Sequence, residues 1–211
     1  LVNGVMARLR EDKLSSVLSI EDEFAKVVAL LVNDAKTKVE NAWDWNGLRQ
    51  DWDLTMSGSQ TKYTLDDSST YVKIQNVSNN ADGYFLKQTS PMDFKRKRFG
   101  QGPEGRPEYF TVSGQNTTQE VEIEFWPTPK GGSEITVTGW KNQADLVTDT
   151  DVLIVPYLPV LYETLALAAR ERGEVGGQTA AEIFMVANKH LEDAIALDAA
   201  LSPLDNIWYQ V

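Results

Sequence analysis

Residues 39–56, VENAWDWNGLRQDWDLTM, change period in mid-stretch. Up to Trp43 the large apolar side chains recur at helical spacing, so Phe24, Val27, Val28, Leu31, Ala35, Val39 and Trp43 share one face. Beyond Gly47 the spacing becomes alternating, the signature of a strand with one face buried. The switch separates a helical N-terminal part from a β-rich middle. Working backwards from it, a long helix spans residues 20–43, with Ser19 as N-cap and Asp22 in the capping-box position, and a short helix covers residues 2–9.

Working forwards, strands are expected at 52–56, 62–65, 71–77, 84–88, 108–112, 121–126 and 135–140, separated by clusters of Gly, Ser, Asp, Asn and Pro. Ser90-Pro91 interrupts them as an N-cap with proline behind it, which predicts a two-turn helix over 92–99. Short strands at this spacing close into a small barrel or a sandwich. A last extended segment covers 151–155. The helical period then returns: Pro159 suits a first turn, Val160, Leu161, Leu165 and Ala168 give a buried face, and Gly173 ends the helix. A second helix runs from Thr179 to about Ala200 with Ile183, Phe184, Ala187, Leu191, Ala194 and Ile195 inward, antiparallel to the first, and Pro203 stops it. The expected fold is α+β. Residues 1–50 and 156–202 form a helical bundle from both chain ends, 51–155 form a β barrel- or sandwich-like insertion, and 203–211 form a C-terminal tail.

Composition removes whole classes of function. A chain of 211 residues with 42% apolar content can bury a core, and no stretch approaches the roughly 20 apolar residues that span a membrane. Opening on Leu1, the chain is expected to have lost a few leading residues, and no signal-peptide pattern is read in it. With no cysteine there is no disulfide, thiolate metal site or cysteine nucleophile, and the single histidine, His190, rules out multi-His metal clusters. A net charge of −11 opposes tight nucleic-acid binding, which rests on clustered Lys and Arg, and suits a surface that DNA slides past. No Walker loop, nucleophile elbow or dinucleotide fingerprint is present, so no catalytic residue, metal or cofactor is assigned. Glu122 and Glu124 share a strand face with Trp126, as in a glycosidase, but also as on any solvated sheet. His190 beside Glu192 and Asp193 reads as a packed helix residue.

Three groups stand out for other reasons. Trp43, Trp45 and Trp52 read as an aromatic cluster locking the end of the long helix to the first strand. Ile207, Trp208 and Tyr209 place large side chains after a helix stop, where a free end is normally polar, and imply docking onto the chain's own bundle or onto a partner. Lys95-Arg96-Lys97-Arg98 is a concentrated positive run in an acidic chain, suited to a solvated helix face, to acidic segments of a neighbour such as Asp66-Asp67 or residues 120–124, or, least well, to DNA. Arg170 and Arg172 near a helix C-terminus suit its dipole and intersubunit pairing. The Trp and Tyr content of the β region also fits a carbohydrate-binding or host-recognition module of a virion.

Two stretches carry a family resemblance: residues 39–49, VENAWDWNGLR, and residues 168–202, AARERGEVGGQTAAEIFMVANKHLEDAIALDAALS. With a β insertion between them, they resemble the head-to-tail adaptors of tailed phages, the neck or tail tubular protein A group of short-tailed phages. The resemblance implies a non-enzymatic virion protein at the head–tail interface, assembled in the host cytoplasm. It implies a homo-oligomeric ring, usually dodecameric, seated between the portal protein and the tail nozzle or tube protein, with DNA passing through the lumen without sequence-specific binding. It also implies that the C-terminal tail, here Ile207, Trp208 and Tyr209, reaches the portal. Lys95, Arg96, Lys97, Arg98, Arg170 and Arg172 then become candidate subunit or tail contacts.

Overall fold

A computed structural model describes residues 1–58, 60–65, 72–99, 104–117, 120–172 and 178–201. They contain helices α1 (Val2–Arg8), α2 (Glu23–Ala42), α3 (Pro91–Arg98), α4 (Tyr157–Glu171) and α5 (Gln178–Leu201). The chain divides into a helical unit, residues 1–48 with the chain from Gln143 onward, and a β unit, Arg49–Asn142, which holds α3.

In the helical unit, α1 turns Val2, Val5 and Met6 onto Ala25, Val28 and Val32 of α2 and onto Leu161, Leu165 and Ala168 of α4. Full burial of each large aliphatic side chain stabilises by roughly 1.5–3 kcal/mol. The cap of α2 differs from the sequence-based expectation. Asp22, not Ser19, is the N-cap, its carboxylate accepting the Ala25 N–H at 2.9 Å. An ionised acceptor at the positive end of the helix dipole is the stronger cap, and Ser19 lies in the turn before it. α5 follows its expected period, with Ala187 buried and Ile183, Phe184, Leu191, Ala194 and Ile195 half-buried. His190 stacks on Tyr162 of α4, ring centroids 4.7 Å apart, which gives it the packing role expected of a lone helix histidine.

The division between units falls at 142/143 rather than at 155/156. Gln143 to Asp151 are not the end of the insertion because their backbone groups bond to the helical unit: Asn33 of α2 exchanges two bonds with the Leu146 backbone, at 2.8 and 3.2 Å. Asp149 accepts from the Ser16 hydroxyl at 2.5 Å and the Val17 N–H at 2.9 Å.

The β unit comprises β1 (Arg49–Thr55), β2 (Lys62–Leu65), β3 (Val72–Asn79), β4 (Tyr84–Phe85), β5 (Lys87–Gln88), β6 (Glu104–Gly105), β7 (Tyr109–Gln115), β8 (Val121–Trp126), β9 (Thr128–Pro129) and β10 (Glu134–Lys141). They form two four-stranded sheets, ordered β1-β10-β3-β4 and β2-β8-β7-β5, and a small β6-β9 pair. Of the two expected closures the structure takes the sandwich, and the described strands close no barrel. Trp52, Val77, Ile135 and Val137 of one sheet and Tyr63, Leu65, Phe110, Ile123 and Phe125 of the other make one core. The expected strand 84–88 is split between the sheets. β4 pairs with β3, Leu86 turns into the core, and β5 pairs in parallel with β7, so one short run joins both layers.

Gly139 sits where the β10–β3 register shifts. A Cβ there would lie 2.3 Å from the Lys73 carbonyl oxygen, a backbone atom that cannot swing aside. Gly139→Ala is therefore expected to destabilise the β unit by about 1–3 kcal/mol. Urea unfolding followed by tryptophan fluorescence checks this as a lowered midpoint at unchanged slope; an unmoved midpoint would mean that the β3 backbone yields freely.

Candidate functional site

The α2 stripe that faces the core carries a charge pair along with its apolar residues. Lys36 and Glu40, one turn apart, are 1% and 3% exposed, which is uncommon for either residue type. Their charged groups are 3.4 Å apart. Neither could remain ionised there alone, and the returning chain completes the set. Lys36 Nζ donates to the Gln143 carbonyl at 2.6 Å, and the Gln143 N–H donates to Glu40 Oε1 at 3.3 Å. Asp145 stands 4.0 Å from Lys36 on the outer side. Burial pushes the Glu40 carboxyl above its ordinary value, against the opposing pull of Lys36 and the Gln143 N–H.

Next to this clamp, within the helical unit, lies an open groove of about 750 Å³. Its apolar lining includes Leu30, Val147 and Val152, which are 68%, 63% and 76% exposed, together with half-exposed Tyr157. Asp145, Asp149 and Asp151 line it, and no Lys or Arg stands among the described residues that do. Asp151 holds the segment's turn by accepting from the Val147 and Thr148 N–H groups and the Thr148 hydroxyl. Hydroxyl and backbone donors hold Asp149 and Asp151 below the usual carboxylate range, Ser16 first for Asp149 and Thr148 for Asp151. A groove with apolar walls and fixed negative charge can receive a partner's apolar and basic side chains.

The tryptophans singled out in the sequence each have their own anchor. Trp45 is buried and donates to the Val39 carbonyl at 2.8 Å; Trp43, 38% exposed, donates to Asp198 at 3.1 Å; Trp52 belongs to the core of the β unit. Asp198 also accepts from the Asn46 N–H and side-chain amide, each at 3.2 Å, so the two stretches that carried the resemblance meet here. Arg172 is used within the chain: it lies 4.3 Å over the Phe24 ring, donates to the Leu9 carbonyl at 3.4 Å and pairs with Glu11. Arg170 is exposed in the last turn of α4, near the negative end of its dipole. Ile207, Trp208 and Tyr209 lie outside the described residues, as do Asp66 and Asp67.

The basic run splits between two faces of α3. Phe94 is buried beneath the helix, Lys97 lies 4.0 Å over the Tyr109 ring, and Arg98 pairs with Glu124 at 3.2 Å. Lys62 joins from β2, 3.1 Å from Glu122 and 3.4 Å from Glu124. The hydrogen bond it donates to Glu122 is the first cause that raises the Lys62 ammonium above its ordinary value. Both carboxylates of the expected alternating face thus pair with cations, and Lys97 covers the aromatic ring beside them. On the opposite face of α3, Met92, Lys95, Arg96 and Phe99 are exposed. Among the described residues no cluster of His, Asp or Glu is suited to a metal, and no helix is long and apolar enough to cross a membrane.

The sequence reading missed Lys36, Glu40, Gln143 and the groove. One signal was available: positions 36 and 40 continue the stripe of Val28, Val32 and Val39, so a charge pair stood on a face that had to be buried. Nothing local indicated that Gln143 would answer it.

A family model described as SU10 adaptor protein matches residues 1–204. No curated protein matches the chain.

The clamp makes a pH-dependent prediction. A carboxyl whose folded pKa is raised favours the folded state below its unfolded pKa, and that advantage is lost as pH rises through the folded pKa. Lys36→Met removes the compensating cation and moves the Glu40 value further up. It is expected to cost about 3–5 kcal/mol at pH 7, and the deficit should shrink as pH is lowered and Glu40 takes up a proton. Chemical denaturation of both chains at several pH values checks it. A deficit independent of pH would mean that packing, not charge, is what Lys36 supplies.

Proposed function

The chain belongs to the SU10 adaptor protein family, a family of phage head-to-tail adaptors, and from that premise we propose that its copies form a ring joining the portal to the tail. Membership makes the protein a structural component of the virion at the head–tail junction, with portal and tail proteins as its partners. In our reading the ring is dodecameric, is assembled in the host cytoplasm, and forms part of the channel through which DNA leaves at ejection. Ile207, Trp208 and Tyr209 dock on the portal, loops of the β unit meet the tail, and the mechanism is that of a joint and a conduit rather than of catalysis.

The observation that carries this reading is the extent of the family match, which runs through both units and reaches residue 204. The charge supports it. Net −11 keeps the genome from adhering to a passage it must traverse. The competing saccharide reading finds little support, because Trp52, Tyr63, Phe110 and Phe125 are core residues while Tyr109 and Trp126 lie under Lys97. A sugar platform needs an open ring face.

Negative-stain imaging of the chain mixed with its cognate portal, beside a chain ending at Ser202, tests the proposal. Rings extending the portal are expected with the full chain and are expected to be lost with the shortened one. Rings in both would leave the adaptor role standing and remove the tail from it. No association in either case would overturn the reading.

A further inference from the structure

α3 presents two faces with opposite fates. Phe94, Lys97 and Arg98 are spent on the chain's own sheet. Met92, Lys95, Arg96 and Phe99 follow the i, i+3, i+4, i+7 spacing of the other face, where Phe99 is 94% and Met92 64% exposed. Two large apolar groups therefore stand on this face beside Lys95 and Arg96, the latter also pairing along the helix with Asp93 at 3.3 Å. The helical unit holds the complementary chemistry, apolar walls and acidic charge, in the groove lined by Leu30, Val147, Val152 and Tyr157 with Asp145. The Asp145 side chain is 71% exposed, with Lys36 4.0 Å behind it, and can take a second cation on its outer side.

We infer that the groove of one copy receives the outer face of α3 of the next copy, Phe99 entering between Leu30 and Val152 while Lys95 and Arg96 approach Asp145. The inference rests on the ring reading and names the contact by which that ring is built. The two patches are different surfaces, so a copy can offer its donor face to one neighbour and its acceptor groove to the other, a heterologous contact that closes into a ring when the rotation between copies allows it. An aromatic anchor in an apolar recess, flanked by opposite charges, is also the usual composition of an interface that fixes orientation.

The chain contains no cysteine, so engineered thiols report without background. Phe99→Cys chains are mixed with Val152→Cys chains, assembled with and without portal, and treated with a short bis-maleimide. A covalent dimer is expected in the mixture and in neither variant alone. In parallel, Phe99→Asp is expected to weaken assembly at least about tenfold, since it places a charge in an apolar recess; circular dichroism checks that the variant folds. Rings that form without the mixed cross-link, or that cross-link only between like variants, overturn this contact and leave the ring standing. If no assembly larger than a monomer forms under any condition, the ring reading falls and this contact with it.

Discussion

A buried charge pair cannot be left half-satisfied, and that constraint organises the helical unit. Lys36 and Glu40 stand on the side of α2 that must face the core, since Val28, Val32 and Val39 share it. Their mutual attraction at 3.4 Å does not meet the full hydrogen-bonding need of either group. The Gln143 peptide meets it from both sides, with its carbonyl to the ammonium and its N–H to the carboxylate. A chain that has just left β10 is thereby fixed on α2 within two residues. Asn33 then repeats the device at Leu146, its side-chain amide bonding both backbone groups as a strand partner would. Residues 143–151 form no helix or strand, yet the backbone groups of Gln143, Leu146, Val147 and Thr148 have determinate partners. The groove exists because this irregular segment is held along α2 without being packed flat on it.

The β unit solves a different problem, which is how to cover a sheet face rich in charge. Val121, Ile123 and Phe125 of β8 point inward, so Glu122, Glu124 and Trp126 must point out. α3 lies against that face, anchored by Phe94, and supplies Lys97 and Arg98 to it, while Lys62 comes from the neighbouring strand. The opposite charges of Lys62 and Glu124, which face each other across β2 and β8, also help specify the register. The basic run is therefore a lid as well as a surface, and only its outward half is available to another molecule.

Much of this was legible in residue patterns. The alternation of β8, the proline-marked start of α3 and the inward positions of α5 followed from periodicity and capping chemistry, which are local. What escaped was decided at long range. Leu86 divides one apolar run between two sheets because the core needed a side chain there. Gln143 carries no signal of its own, since its role is played by the peptide group that every residue possesses. The groove was invisible for the same reason: it is bounded by segments more than a hundred residues apart in sequence.

The distribution of charge then bears on how copies of this chain recognise one another. Acidic residues outnumber basic ones, 31 to 20, so two copies meeting at random repel. Several of the cations are already consumed inside the units: Lys36 on Glu40, Lys38 on Glu163, Lys62 and Arg98 on the β8 carboxylates, Arg172 on Glu11. Each of these pairs also uses a carboxylate, so the rest of the chain keeps the same net charge with fewer cations to offer a neighbour. Under general repulsion, a contact survives only where a cationic spot of one copy finds an acidic one of another, and the apolar groups beside both spots then add attraction that salt does not screen. Repulsion everywhere else is what makes a single relative orientation selective. In the ring and conduit we propose, the same excess of negative charge serves both tasks: it holds copies to one register and lets a polyanion pass them.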